Sequence, residues 1–239
     1  CWDMSPRRVA KKRNGIEMRK LRLVPIILAA FAVSEAVAQQ WSQYRDESEF
    51  FAVNVPGEPV ITEAPYPSEY GATFPSRIYT VEYDDHHYSV TVVDFTDARR
   101  IYEELPDKTD EAGSRWLWMY DQLGGTAYAA RQFRERGGEV TFDAWNHIDF
   151  VEGHQIQMTN DDGSRTFAGI YLHNRRLYIL EATVPPNALP PGLFQQSITF
   201  LDETGVRVRY ELNPERERVG IRRIPEEMNV DAVEVESLQ

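Results

Sequence analysis

Between residues 139 and 184, four strand-like segments follow one another with almost nothing between them. Glu139–Val151, His154–Thr159, Arg165–Leu172 and Leu177–Val184 are rich in aliphatic, β-branched and aromatic residues. Only Glu152-Gly153, Asn160-Asp161-Asp162-Gly163 and His173-Asn174-Arg175-Arg176 separate them, and all three are turn sequences. Parallel neighbours need a crossover of about a dozen residues or more, so gaps this short force antiparallel pairing. The stretch predicts a four-stranded meander.

The segments before it supply the rest of a sheet. Phe50–Val55 reads as a strand that ends at Pro56-Gly57, and Pro56, Pro59, Pro65, Pro67 and Pro75 mark a long connection. Ser76–Tyr83 and His87–Phe95 form a second hairpin around Asp84-Asp85-His86-His87. Tyr79, Val81 and Tyr83 share one face of its first strand, and Tyr88, Val90 and Val92 share one face of its second. Helices are expected between this hairpin and the meander. Asp97 caps a short one that Pro106 ends. Thr109 or Asp110 starts another, with Trp116, Tyr120 and Leu123 on its core face, which Gly124-Gly125 stops. Thr126 starts a third, stopped by Gly137-Gly138.

After the meander, Pro185–Pro191 is a loop, and Pro190 or Pro191 opens a helix in which Phe194, Ile198 and Leu201 share a face. Val206–Leu212 returns as an edge strand, and 213–239 reads as a charged, flexible tail. Strands, inserted helices, strands and a closing helix predict an α+β sandwich: one domain over 39–212, with a central antiparallel sheet flanked by helices.

The N-terminal region reads as processing signal. Residues 1–17 precede Met18 and resemble translated upstream sequence. Arg19, Lys20 and Arg22 then lead into the uncharged run Leu23–Val33, and Ala36-Val37-Ala38 forms an A-x-A site before Gln39. Eleven helical residues rise about 16 Å, roughly half a bilayer core, so a signal peptide over 18–38 is expected, with only transient membrane contact. Cleavage between Ala38 and Gln39 removes eight basic and three acidic groups and the chain's one Cys, and leaves a net charge of −17. A chain this acidic repels phosphate backbones, which argues against a nucleic-acid partner. Without Cys, thiolate nucleophiles and thiolate metal sites are excluded. The pattern suits a bacterial periplasm or a secreted space.

Phe51-Ala52-Val53-Asn54-Val55-Pro56-Gly57-Glu58-Pro59 resembles the FxVxxPGxP opening of exported bacterial proteins with the PsbP-like fold, named for the extrinsic P subunit of photosystem II. The later order is similar too. It includes the hairpin at Glu152-Gly153, Arg165 after a DG turn, Leu177-Tyr178-x-Leu180, the Pro-rich loop and Phe194-x-x-Ser197-x-x-Phe200. The resemblance covers about residues 41–202 and implies a central antiparallel sheet with helices on both sides. It also implies a non-catalytic role in binding, assembling or stabilising another protein, with no functional residue to carry over.

Among local constellations, Asp84-Asp85-His86-His87 has the best metal-ligand chemistry, since carboxylate and imidazole suit Zn, Cu or Ni. Adjacent strand residues face opposite ways, however, which favours a plain hairpin turn. His147, His154 and His173 show no metal spacing. Asn160–Gly163 lacks the register and the distal Glu of a calcium loop. Trp116, Trp118 and Tyr120 could form an aromatic platform; helical spacing puts Trp116 and Tyr120 in the core and leaves Trp118 as the exposed member. No G-x-S-x-G, S-x-x-K, H-E-x-x-H or P-loop pattern occurs. Ser197 reads as a packing residue and Arg175-Arg176 as a solvated loop tip.

The expected function is an exported, non-enzymatic accessory or binding protein that contacts another envelope protein. No catalytic, cofactor or metal residue is assigned, and the oligomeric state is left open. The alternative is a periplasmic metal or small-ligand binder using the Asp84–His87 turn or the Trp118 face. A hydrolase with an unrecognised carboxylate pair is a third reading.

Overall fold

The computed structural model describes residues 41–105 and 116–224. The expected upstream segment, signal peptide and cleavage site therefore lie outside the described residues, as do Pro106, the helix start at Thr109 or Asp110, and 225–239.

The elements run β1 (Ser42–Asp46), β2 (Phe51–Val55), β3 (Val60–Pro67), β4 (Thr73–Tyr83), β5 (His86–Asp94), α1 (Ala98–Glu104) and α2 (Leu117–Glu135). They continue with β6 (Glu139–Ile148), β7 (Val151–Thr159), β8 (Arg165–His173), β9 (Arg176–Val184), α3 (Gly192–Gln195), β10 (Thr199–Phe200), β11 (Arg207–Leu212) and β12 (Arg218–Ile224). Seven strands form one antiparallel sheet in the order β3-β4-β5-β9-β8-β7-β6, so the expected meander is present as β6 to β9.

Strand alternation splits the interior into two cores. Leu177 and Ile179 of β9 face one side, with Ile156, Met158, Ala168 and Ile170, under Ala129, Ala130 and Phe133 of α2. Tyr178, Leu180 and Ala182 face the other side, with Tyr79, Val81, Tyr88, Val90 and Val92. What covers that second face differs from the expectation. It is mainly a small sheet, β1-β2-β10, with the one-turn α3, rather than a helical layer. The fold is mostly antiparallel β, not an evenly balanced α+β sandwich. Ile198 and Leu201 are buried as expected, but they flank β10 instead of continuing a helix.

The three tight hairpins close on Asp84-Asp85, Asp149-Phe150 and Asn174-Arg175, each with both residues at positive φ between 47° and 61°. That is the turn whose twist matches the flanking strands. His86, His87, Glu152, Gly153, His173 and Arg176 thus belong to strands, not turns. Gly153 is needed for a different reason: a Cβ there would sit 2.3 Å from the Ile170 carbonyl oxygen and 2.3 Å from the Tyr171 ring.

Three further departures have clear causes. The proline-marked connection contains a strand, β3, whose Pro65 lies opposite Pro75. β3 is a sheet edge and the β4–β5 ladder starts only at Ser76, so neither proline N–H is required. α2 runs straight through Gly124-Gly125 because Gly125 faces the sheet, where a Cβ would meet Phe95 and Leu177 at 3.4–3.5 Å. Asp97 does occupy the N-cap position of α1, but its carboxylate pairs with Arg100 at 2.7 Å instead of capping.

The stretch expected to be a loose tail contains β12, paired with β11. This hairpin is fastened to the Asp149-Phe150 turn. Arg207 pairs with Asp149 at 3.0 Å, Tyr210 N–H donates to Asp149 O at 3.1 Å, and Arg218 donates to Phe150 O at 3.2 Å.

Candidate functional site

The underside of α2 is lined by small or polar residues. Asp121, Gly125 and Ala129 recur every fourth residue and are buried with Thr126, Ala130 and Phe133. Such a row lets the helix lie close on the sheet. The bulky row is therefore turned outward. Trp116 is 49 % exposed, Tyr120 48 % and Leu123 66 %, and Ala127 continues the same exposed face. This reverses the expected assignment: Trp116 and Tyr120 are at the surface, whereas Trp118 is half-buried against the helix-side core.

Asp121 fixes this ridge to its surroundings. Its carboxylate accepts from the Tyr102 hydroxyl of α1 and, at 3.3 Å, from the backbone N–H of Tyr70 in the β3–β4 loop. Burial, and then the Asp121 bond, push the Tyr102 hydroxyl well above its ordinary range, so it stays a donor. Glu69 of the same loop pairs with Arg131 of α2 at 2.8 Å. These ties set the exposed Tyr70 ring 6.5 Å from Tyr120. Four large side chains, Tyr70, Trp116, Tyr120 and Leu123, thus stand out together on a pinned helix. Isolated exposed apolar residues are ordinary, but an aromatic row of this kind is the composition of a protein interface. Leu123 shares the helical face of Trp116 and Tyr120 in the sequence pattern, whereas nothing there marks Tyr70 or Ala127; the Asp121, Gly125, Ala129 row is the signal that the bulky row faces outward.

A second cluster sits where the other end of α2 meets the sheet. Arg134 grips Asp143 of β6 with two nitrogens, at 2.6 and 3.0 Å, and the buried His154 of β7 bonds the same carboxylate. The Arg134 bond, reinforced by His154, holds the Asp143 carboxyl down to about 2. Trp145 lies edge-on to His154 at 5.1 Å. The cluster has no nucleophile, and its charges satisfy one another.

A cavity of about 470 Å³ opens beside Glu49, Glu63, Phe74, Arg77 and Asp94. Its charges also interlock. Glu49 joins Arg77 at 3.0 Å and Arg176 at 2.8 Å, and Arg77 reaches Glu63 at 3.5 Å. Arg176 is thus a half-buried strut, not part of a solvated tip, while Arg175 stays exposed. Ser197 likewise bridges backbone, accepting from Asn54 N–H at 2.8 Å and donating to Phe194 O at 3.0 Å.

The structure does not gather the Asp84–His87 set. His86 Nδ1 lies 2.6 Å from the Asp84 carbonyl and stacks on Tyr88, whereas His87 Nδ1 lies 2.6 Å from Glu82. Among the described residues, no three His, Cys, Asp or Glu side chains converge as a metal site. Among them, too, no helix is long and apolar enough to cross a membrane.

No protein-family model matches the chain, and no curated protein matches it. The chain is similar to the solution structure of cyanobacterial PsbP from Synechocystis sp. PCC 6803, at 12 % identity and a TM-score of 0.36. The match covers 62 % of this chain and 81 % of that one. A likeness this loose fixes neither family nor function.

Proposed function

We propose that this chain is an exported, non-enzymatic accessory protein that acts through protein–protein contacts in the bacterial periplasm or envelope. The α2 ridge is its docking face. The observation that carries this reading is the outward row Trp116, Tyr120, Leu123, with Tyr70 beside it. Rigid aromatic side chains on a pinned helix bury large area at small entropic cost, which is the anatomy of interface anchors. The signal-like order from Arg19 to Ala38 supports export, and the Phe51–Pro59 pattern supports placing the chain with PsbP-like proteins.

The test is cross-linking of tagged protein in its native envelope, beside the variant Trp116→Ser, Tyr120→Ser, Leu123→Ser. A stoichiometric partner held by the wild type and lost by the variant is expected. Equal capture by both, or none by either, would sink the reading. N-terminal sequencing tests export separately: the expected terminus is Gln39, and an intact Met18 refutes it.

A further inference from the structure

We propose that β6 pairs antiparallel with β6 of a second copy of this chain, about a twofold axis at Trp145. The inference is independent of the α2 ridge.

The two edges of the main sheet are treated differently. The β3 edge carries Pro65 and Pro67, which cannot donate and so deter strand addition. β6 is the other edge, ten residues long, and has no proline and no lysine. Its Trp145 is 73 % exposed and its Val140 and Phe142 are exposed as well. A bulge between Val140 and Phe142 interrupts only its first part, leaving Phe142–Ile148 regular.

The backbone phase selects a register. Ile148 and Val151 flank the two-residue turn and therefore exchange both hydrogen bonds. Counting back along the ladder, Asn146, Ala144 and Phe142 also bond inward to β7. The N–H and C=O groups of Asp143, Trp145 and His147 are left pointing outward from the sheet. A twofold axis at Trp145 pairs each outward group with another: Trp145 with Trp145, and Asp143 with His147 in both directions.

The side chains agree with that register. Asp143 faces His147 of the second copy, an acidic group against a basic one, at both symmetric positions. Asp143 has spare accepting capacity beyond its bonds to Arg134 and His154. On the opposite face, exposed Phe142 meets half-buried Ile148, and Ala144 meets Asn146. Directly opposite pairs of these kinds stabilise strand pairing, whereas like charges oppose it. Shifting the axis to residue 143 would instead set Asp143 against Asp143.

The test is sedimentation velocity of the full chain over micromolar concentrations, with three substitutions. A dimer is expected. His147→Asp places two carboxylates opposite each other at both positions and should weaken the dimer on the order of tenfold. His147→Lys should hold it at wild-type strength or tighter. Circular dichroism and melting of each variant confirm folding. Register is read by cysteine cross-linking in a Cys1→Ser background with diamide as oxidant. Cα atoms of a hydrogen-bonded pair lie about 5.5 Å apart, within disulfide range. Trp145→Cys should therefore cross-link readily, whereas Asn146→Cys, about 8 Å from its copy, should not. A monomer throughout overturns the proposal, as does a dimer indifferent to His147→Asp. A monomer that takes up an extended segment of another protein at β6 overturns it equally.

Discussion

Lowering the pH from 7.5 to 5 should destabilise this protein by about 2 kcal/mol through His173 alone. His173 ends β8 and is 3 % exposed. Its ring lies 4.8 Å from Phe200 of β10, and its Nε2 lies 3.0 Å from the Tyr210 hydroxyl of β11. Among the described residues, its Nδ1 has no hydrogen-bond partner. Burial first, and then the Arg218 charge on β12, push its pKa down from 6.5 to about 4. A histidine depressed in the folded state takes its proton first in the unfolded chain. Stability is therefore complete above pH 6.5, falls between 6.5 and 4, and levels off below. The full shift corresponds to about 3 kcal/mol, and about 2 kcal/mol of it is lost by pH 5, where carboxylates still remain mostly ionised. Urea unfolding at a series of pH values measures it. His173→Phe keeps a ring against Phe200 and removes the proton, so its profile should be flatter by that amount. A wild-type profile already flat from pH 7 to 5, or an unchanged slope in His173→Phe, would refute the assignment.

Other substitutions probe the elements that carry the candidate site. Gly153→Ala drives a Cβ into the Ile170 carbonyl and the Tyr171 ring and should cost roughly 3 kcal/mol in denaturant unfolding. Gly124→Ala meets nothing within 4 Å among the described residues and should stabilise by about 0.5–1 kcal/mol in the same assay. Tyr102→Phe removes a donor from buried Asp121 and should cost about 1.5–3 kcal/mol. Arg134→Met should let the Asp143 carboxyl rise from about 2 toward 3.8, read by carboxyl NMR titration.

The parts of the fold that could be read were those in which local chemistry leaves a single solution. Leu177 to Ala182 alternates, the loops joining β6 to β9 are only two to five residues long, and the meander follows. The Asp84-Asp85 and Asn174-Arg175 turns lie inside the expected four-residue segments, whereas the turn expected at Glu152-Gly153 closes three residues earlier, on Asp149-Phe150. The error at Glu152-Gly153 arose because glycine signals both a turn and a close approach. There it answers to Tyr171 on the adjacent strand, which cannot be seen along the chain. β3 was hidden because proline argues against a strand unless the strand is known to be an edge. β12 is hidden because it pairs with β11, which Asp149 holds, and its Arg218 reaches Phe150, some sixty residues earlier. In the site, local pattern put Trp116, Tyr120 and Leu123 on one face correctly but gave no means of choosing which face was the core.

That choice is made by the sheet, not by hydrophobicity. Rotating α2 to bury its bulky row would press Tyr120 and Leu123 toward Phe95 and Leu177, where Gly125 now leaves space for little more than a Cβ. The same rotation would pull Asp121 away from Tyr102 and the Tyr70 N–H, the two contacts that satisfy its buried carboxylate. Packing and hydrogen bonding therefore oppose it together, and the ridge is held outward by what lies beneath it. It follows that the ridge adds little to the fold. Each of Trp116→Ser, Tyr120→Ser and Leu123→Ser should change unfolding free energy by about 0.5 kcal/mol or less, as exposed substitutions usually do. Gly125→Leu on the opposite face should cost several-fold more by overpacking, on the order of 3 kcal/mol. Thermal and urea unfolding of the two sets decides it. If the ridge variants lose stability comparable to Gly125→Leu, those side chains belong to a core and the docking face is wrong. If they do not, the folded chain exposes a Trp, a Tyr and a Leu in one row that its own stability does not require.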